Sequence, residues 1–581
     1  MATRHAALAF ATLACLVPVA RGAAQTARAR AVPARRTCDG DTISAVIVRS
    51  HPPTATSAAA EAEQASFRLL GLPYVPTRHN VLAAYLRVEA GRVCSELDRS
   101  ESERLLRAQP FVRSAAVRVI TEKPGHSRIE VDVVDELPLI AGGSVSHGTV
   151  SSVLLGTQNL EGRGLAVTLS AERGFAYRNG FGVSVVKYGM FGRPDFLRFE
   201  AAHDPVVDDR LSIELAEPFL TDLQSRAYHA SAMMASGYVG IVRPVGDDIS
   251  LFLRRVSYDA GWVTRLGAAT GHRVVGLVGL ALVGEDVLAG NTAVIVTDTA
   301  VIAGPPNPFG RTYPVFAVTR VAAIAGLRDL RFTTVRGFDA LKAEQDMGIG
   351  VQADLLVGPN VSGAATAGDV LIASDLYAGV GDARSFFVAR ALAEARANRV
   401  LHRWDGLVSS ARLAWYGKRS EDQSQQASIE LSSVQHLDFP LQLTFRDADG
   451  GLPGSGDSRA AGGQRVIVRA EQRYLTSWFS SRADVAFALF AAAGKLWAGD
   501  VPYGQTTNVR ATAGVSLLAA YPSGGKRTYR VDLAFPLNPE RGGSRFELRL
   551  SATDRTRLLW LEPNDVARAR TGDVPASLMK W

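Results

Sequence analysis

The sequence is poor in the residue clusters that most catalytic and metal-binding sites require. It holds three cysteines and ten histidines in 581 residues, and the histidines are dispersed. There is no H-E-x-x-H, no C-x-x-C, no G-x-S-x-G elbow and no complete phosphate loop. "SGGKRT" around Lys526 lacks the upstream glycine spacing and a Ser or Thr directly after the lysine, so it reads as a turn. Asp39 and Asp41 beside Cys38 are two carboxylates without further ligands, which reads as a solvated turn. These absences exclude the common zinc, nucleotide and nucleophilic chemistries. No enzymatic activity and no cofactor are expected.

Two further absences narrow the class. After the N-terminal stretch there is no apolar run of about 18 residues or more, so no helix is expected to cross a membrane. "VVGLVGLALVG" (Val274 to Gly284) is too short and fits a β-strand. Nor is there a basic cluster. The net charge is +7 and the isoelectric point about 9.3, but Lys and Arg are scattered. Charged loops and a charged barrel interior account for that better than nucleic acid, which is not expected as a partner.

The N-terminus reads as a secretory signal over residues 1–24. Arg4 and His5 precede an apolar stretch from Ala6 to Ala20, and Gly22-Ala23-Ala24 offers small residues for cleavage before Gln25. Lipoprotein processing at Cys15 is the weaker alternative, because Thr12-Leu13-Ala14 is a poor lipobox. Cleavage leaves Cys38 and Cys94 in an oxidising compartment, where a disulfide is expected and two unpaired buried thiols are the alternative.

Beyond the signal, short alternating strands dominate. "RLSIELAE" sets Leu211, Ile213 and Leu215 against Ser212, Glu214 and Ala216. "YRVDLAF" and "SRFELRL" repeat the pattern with Tyr529, Val531, Leu533, Phe535 and with Phe546, Leu548, Leu550. Side chains alternate across a strand, so each strand has one greasy and one polar face. Repeated over hundreds of residues after export, this reads as an outer-membrane β-barrel. Tyr258, Trp262, Trp415, Tyr474, Trp478, Trp497 and Tyr521 fall at or near strand ends, as interfacial girdles require.

The organisation follows. Residues 25–37, rich in Ala, Arg and Pro, form a linker. A compact module spans 38–137: a strand over Thr42 to Ser50, a helix near Thr77 to Leu86, and a second helix starting at Ser100. Ser100 and Glu103 form a candidate capping box for that second helix, which stops at Pro110. Strands "AAVRVI" and "RIEVDVV" close the module around the turn "EKPGHS". Strand–turn–strand texture fills 151–555, with strands centred near nineteen positions from Leu165 to Leu548, Leu441 among them. A non-alternating tail, 556–581, ends in Trp581.

The strand–helix–helix–strand–strand order, with "SESERLLRAQPFVRSAAVRV" leading into "RIEVDVVDELPL", resembles a POTRA domain. POTRA domains are periplasmic modules of the outer-membrane assembly and translocation barrels, the family that contains BamA, TamA and FhaC. "NLEGRG" (Asn159 to Gly164) resembles that family's glycine-bearing lead-in to its first barrel strand. The resemblance implies a mostly β protein: one α+β POTRA-like module in the periplasm, then a transmembrane antiparallel barrel of about 16 strands. It also implies outer-membrane lipid as surroundings, and unfolded outer-membrane or secreted proteins as clients of the module.

That family's sixth extracellular loop folds into the lumen and bears [VI]-R-G-[FY], whose arginine meets the aspartate of an F-x-D-x-G strand. Val335-Arg336-Gly337-Phe338 matches the loop letters, but too many strands follow it. Gly451-Leu452-Pro453-Gly454-Ser455 has the right position, with five strands after Gly463, and carries proline where arginine is expected. Its candidate partner strand holds Phe490, Ala492 and Gly494, with alanine where aspartate belongs. Losing one half of a lumen ion pair would strand a charge, whereas losing both is nearly neutral. On the remaining alternative, Gly450 to Gly463 is a plain surface loop. The implied function is insertion or translocation of outer-membrane or secreted proteins. A structural or channel-forming barrel without that activity is the alternative.

Overall fold

The computed structural model describes residues 38–578 except 39, 54–73, 147–148, 173–179, 205–207, 268–273, 298–299, 306–312, 314, 363–368, 399–401, 447–449, 479–481, 541–542, 555–561 and 573. The expected signal, the linker and Trp581 lie outside the described residues.

The module begins with β1 (Thr42–His51), followed by α1 (His79–Ala83), α2 (Glu96–Arg107), β2 (Val112–Lys123) and β3 (His126–Asp135). The sheet order is β1-β3-β2, with β1 parallel and β2 antiparallel to β3. Ile129, Val131 and Val133 on alternate positions of β3 are all 0% exposed and form the module's core with Leu105, Leu106 and Phe111. Cys38 and Cys94 form a disulfide with Cα atoms 5.4 Å apart, tying the start of β1 to the approach of α2. Helix α2 starts a turn earlier than the Ser100 capping box implies. Ser95 is its N-cap and accepts from Asp98 N at 3.3 Å. Glu96 and Asp98 then fill the first turn, where acidic side chains suit the helix dipole. Ser100 Oγ instead donates to Leu97 O within the helix.

The rest of the chain is one antiparallel barrel of twenty strands in sequence order, the last (Glu547–Asp554) lying beside the first (Leu139–Ser146). The count corrects the expected sixteen. Eighteen of the nineteen alternating positions are barrel strands; the remaining two strands, Leu139–Ser146 and Thr149–Thr157, lie at or before the expected start of the barrel at 151. Both are rich in Gly and Ser and lack strict alternation, which hid them. Leu441 is not in a strand; it belongs to a segment folded inside the barrel. "NLEGRG" therefore precedes the third barrel strand rather than the first.

Alternation resolves into inside and outside. In Phe316–Val335, Val321 and Leu327 are exposed at 45% and 59%, while Arg320 and Arg328 point inward and are fully covered. In Gln345–Ser362, Val351, Leu355 and Val357 face out, and Gln352 and Asp354 face in. An apolar outer wall around a charged interior inverts the soluble pattern and suits strands surrounded by lipid. Exposed Trp262, Tyr474, Trp478 and Tyr521 cluster toward the module end of their strands, and Trp404 and Trp497 toward the other end. Tyr258 departs from the expected girdle: it sits mid-strand, its hydroxyl 2.7 Å from Thr319 Oγ1. Strands next to the seam have 8–10 residues, while Val275–Val296 on the far side has 22.

Candidate functional site in the barrel lumen

A ring of this many strands leaves an interior wider than its own side chains can fill. Two segments occupy it. The first connects strand Gln423–Gln435 to strand Gln464–Thr476 and folds back between the walls. It carries a two-residue hairpin, Leu443–Thr444 paired with Ala461–Gly462. Its Leu437, Phe439, Leu441, Leu443, Phe445 and Leu452 are buried against Val408, Val434, Ile467 and Leu496 of the wall. The second segment follows the last strand: residues 562–578, including helix α3 (Asn564–Ala569), with Val566 and Leu578 fully buried.

The positional loop and its candidate partner strand do meet. Phe490, Ala492 and Gly494 all face inward on strand Asp484–Trp497. Ala492 lies in the same buried cluster as Phe445 and Leu452. A Cβ at Gly494 would stand 2.9 Å from Phe445 Cε1, so the glycine makes room for that ring. Apolar packing occupies the place where the resemblance implies an ion pair. Five strands follow the loop.

A guanidinium still holds the loop, but it comes from the wall. Arg469, directly across from Ala492 on the neighbouring strand, donates Nη2 to Gly451 O at 2.6 Å and Nη1 pairs with Glu430 at 2.5 Å. Arg465, one step along the same inward face, donates to Thr444 O at 2.5 Å and grips Asp565 of α3 at 2.5 and 2.9 Å. Arg473 continues the row and donates to Phe338 O and Asp339 O at 2.7 and 2.9 Å. Wall arginines thus bind backbone carbonyls of the inserted segments, so no loop arginine is required. The sequence signal was present: arginines at every fourth position of "QRVIVRAEQRY" share one face of a strand.

The literal motif lies elsewhere, in the turn after strand Phe316–Val335, at the module end of the barrel. Phe338 is buried against Tyr416 at a centroid distance of 5.4 Å. Gly337 has φ +74°. Arg336 is 63% exposed and pairs with Glu344 at 2.6 Å, two residues from the next strand. It does not enter the lumen.

The module seats on this same end. Arg107 Nη2 donates to Asp346 Oδ1 at 2.8 Å and Thr334 Oγ1 at 2.9 Å. Arg104 reaches Leu220 O at 2.6 Å and stacks 3.9 Å over Phe332. Lys526 Nζ donates to Arg107 O and to Gln109 O. Asn159 of "NLEGRG" donates to Thr77 Oγ1 at 2.7 Å, and Gly162 and Gly164 abut Pro76 and Val81 of the module so closely that a Cβ would collide. Those glycines serve module docking. Among the described residues no cluster of three or more His, Cys, Asp or Glu could hold a metal ion.

No family model and no curated protein matches the chain. Solved structures do. CdiB from Escherichia coli is similar over 91% of this chain and 93% of its own, at 11% identity and a TM-score of 0.42. CdiB from Acinetobacter baumannii is similar over 88% and 73%, at 9% identity and 0.39. BamA from Haemophilus ducreyi lacking POTRA domains 1-3 is similar over 88% and 85%, at 11% identity and 0.37. The fold resemblance falls on the same superfamily as the sequence resemblance, while the barrel itself is given by the chain's own strand pairing.

Proposed function

We propose that this chain is an outer-membrane barrel of the assembly and translocation type, with its module in the periplasm, assisting insertion or export of outer-membrane or secreted proteins. It is not an enzyme on this reading. The observation that carries it is the module with a mixed three-stranded sheet, clamped by Arg104, Arg107 and Lys526 onto one mouth of a barrel whose outer wall is apolar. A sheet edge can take up an extended client strand through backbone hydrogen bonds. The two edges are not equivalent. On β2 the backbone N–H of Val117 donates to Glu103 at 3.2 Å, and its C=O accepts from Arg99 at 2.8 Å, so α2 blocks the middle of that edge. Edge strand β1 is the reading's docking edge.

The rival reading, a structural or channel-forming barrel, is favoured by one observation: Pro453 and Ala492 stand where the resemblance implies an arginine and an aspartate. Conditional depletion with quantitative comparison of the outer-membrane and secreted proteins separates the two. Loss of at least one other barrel or secreted protein is expected. An unchanged set overturns the assembly reading and leaves the rival.

A further inference from the structure

The two segments inside the lumen are held by different physics. The loop is fixed by six large apolar side chains, and drawing it out would expose them to water at about 25 cal/mol per Å². Residues 562–578 contribute Val566 and Ala569 to that cluster and Val574 and Leu578 to another near Phe219, but the grip between is polar. Asp565 meets Arg465; Glu562 accepts from Ser410 Oγ at 2.8 Å; Thr571 N donates to Glu394 at 2.9 Å. Arg255 donates to the carbonyls of Arg568 and Arg570. Arg570 lies 4.0 Å from Glu394 and 3.2 Å from Glu562.

The wall behind this segment is satisfied without it. Arg255 pairs with Glu285 at 2.7 Å, Arg469 with Glu430 at 2.5 Å, and Arg396 with Asp438 of the loop. Withdrawal would therefore leave a charged surface that water can wet, with water replacing the lost hydrogen bonds. We propose that residues 562–578 are a displaceable plug, locked by the Arg465–Asp565 pair, whose release opens the lumen as an aqueous pore beside a loop that stays in place. This does not depend on client handling, so its failure and the failure of that reading are distinguishable.

The test is single-channel recording of the full chain in planar bilayers, with retention of the folded, heat-modifiable gel form as a check on each variant. The parent is expected to be silent. Asp565→Arg sets two guanidinium groups against each other, and stepwise currents are expected. Adding Arg465→Glu restores an opposite-charge pair, and the double variant is expected to fall silent again. Deleting residues 562–581 is expected to give the largest steady current. The proposal is overturned if Asp565→Arg and the deletion conduct no more than the parent. It is equally overturned if the double variant conducts as freely as Asp565→Arg, or if the parent is already open.

Discussion

Arg107 and Asp346 are 239 positions apart in the chain and meet at 2.8 Å, where the last turn of α2 rests on the mouth of the barrel. Both side chains are nearly covered, at 8% and 6% exposure. The guanidinium is shared with Glu103 at 2.9 Å, so one residue links the helix's own acidic partner to the barrel rim. A charge left alone in such a place is costly, and removing one partner of a buried pair costs about 3–5 kcal/mol.

Asp346→Ala should therefore loosen the module without unfolding the barrel. Limited proteolysis is expected to cut the 136–139 junction faster, while the folded barrel keeps its gel mobility. Replacing both residues with apolar ones of similar volume should cost much less than Asp346→Ala alone. Equal sensitivity in the two variants would show that the pair does not seat the module.

The disulfide closes a span of 56 residues around β1 and α1. Cys38→Ser with Cys94→Ser should destabilise the module by about 2–4 kcal/mol. Hydrogen exchange at Ile129, Val131 and Val133 should rise by the corresponding factor and leave the barrel strands unchanged. Unaltered exchange in β3 would contradict this.

Burial raises the carboxyl groups of Asp135 and Glu136 above their ordinary ranges, despite hydrogen bonds from Thr77 and Tyr74 to the first and from the backbone of Lys526 and Leu137 to the second. The folded module then holds these protons more tightly than the unfolded chain does. Its stability is greatest below the unfolded-state values near about 4 and falls as pH rises through the raised folded values. Denaturant-dependent hydrogen exchange of the module should show greater stability near pH 4 than near pH 7, with a shallower slope in Asp135→Asn. A module that gains stability over that interval would contradict the assignment.

Arg469→Ala removes the donor to Gly451 O and one cation from Glu430. The inserted loop should become more accessible to protease around Arg459, with little effect on strand pairing. Gly494→Val, which pushes a side chain at Phe445, should give the same loop phenotype at a cost of about 1–3 kcal/mol. Loops as resistant as the parent in both variants would mean that neither contact fixes the loop.

Much of this architecture could be read from alternation alone, because a strand between lipid and a charged interior must alternate. Val321 outside and Arg320 inside is that rule in one pair. The strand count failed where alternation fails: Leu139–Ser146 and Thr149–Thr157 are small-residue strands beside the seam. The loop between Gln435 and Gln464 was legible by position, and Ala492 and Gly494 did fall against it. What holds it was not legible, since Arg469 binds a backbone carbonyl and leaves no paired letter to find. The lumen course of residues 562–578 was hidden for a similar reason. Asp565 and Arg465 are 100 positions apart, and a short helix among turns has no periodic signature.

Every functional statement above rests on a closed barrel embedded in the outer membrane. The direct test is fractionation of the expressed protein, followed by gel electrophoresis in detergent with and without boiling, and circular dichroism of the purified form. The account predicts an outer-membrane fraction, a compact fast-migrating species that slows on boiling, and a β-rich spectrum. A soluble protein, or one with a helical spectrum and no mobility shift, would contradict it.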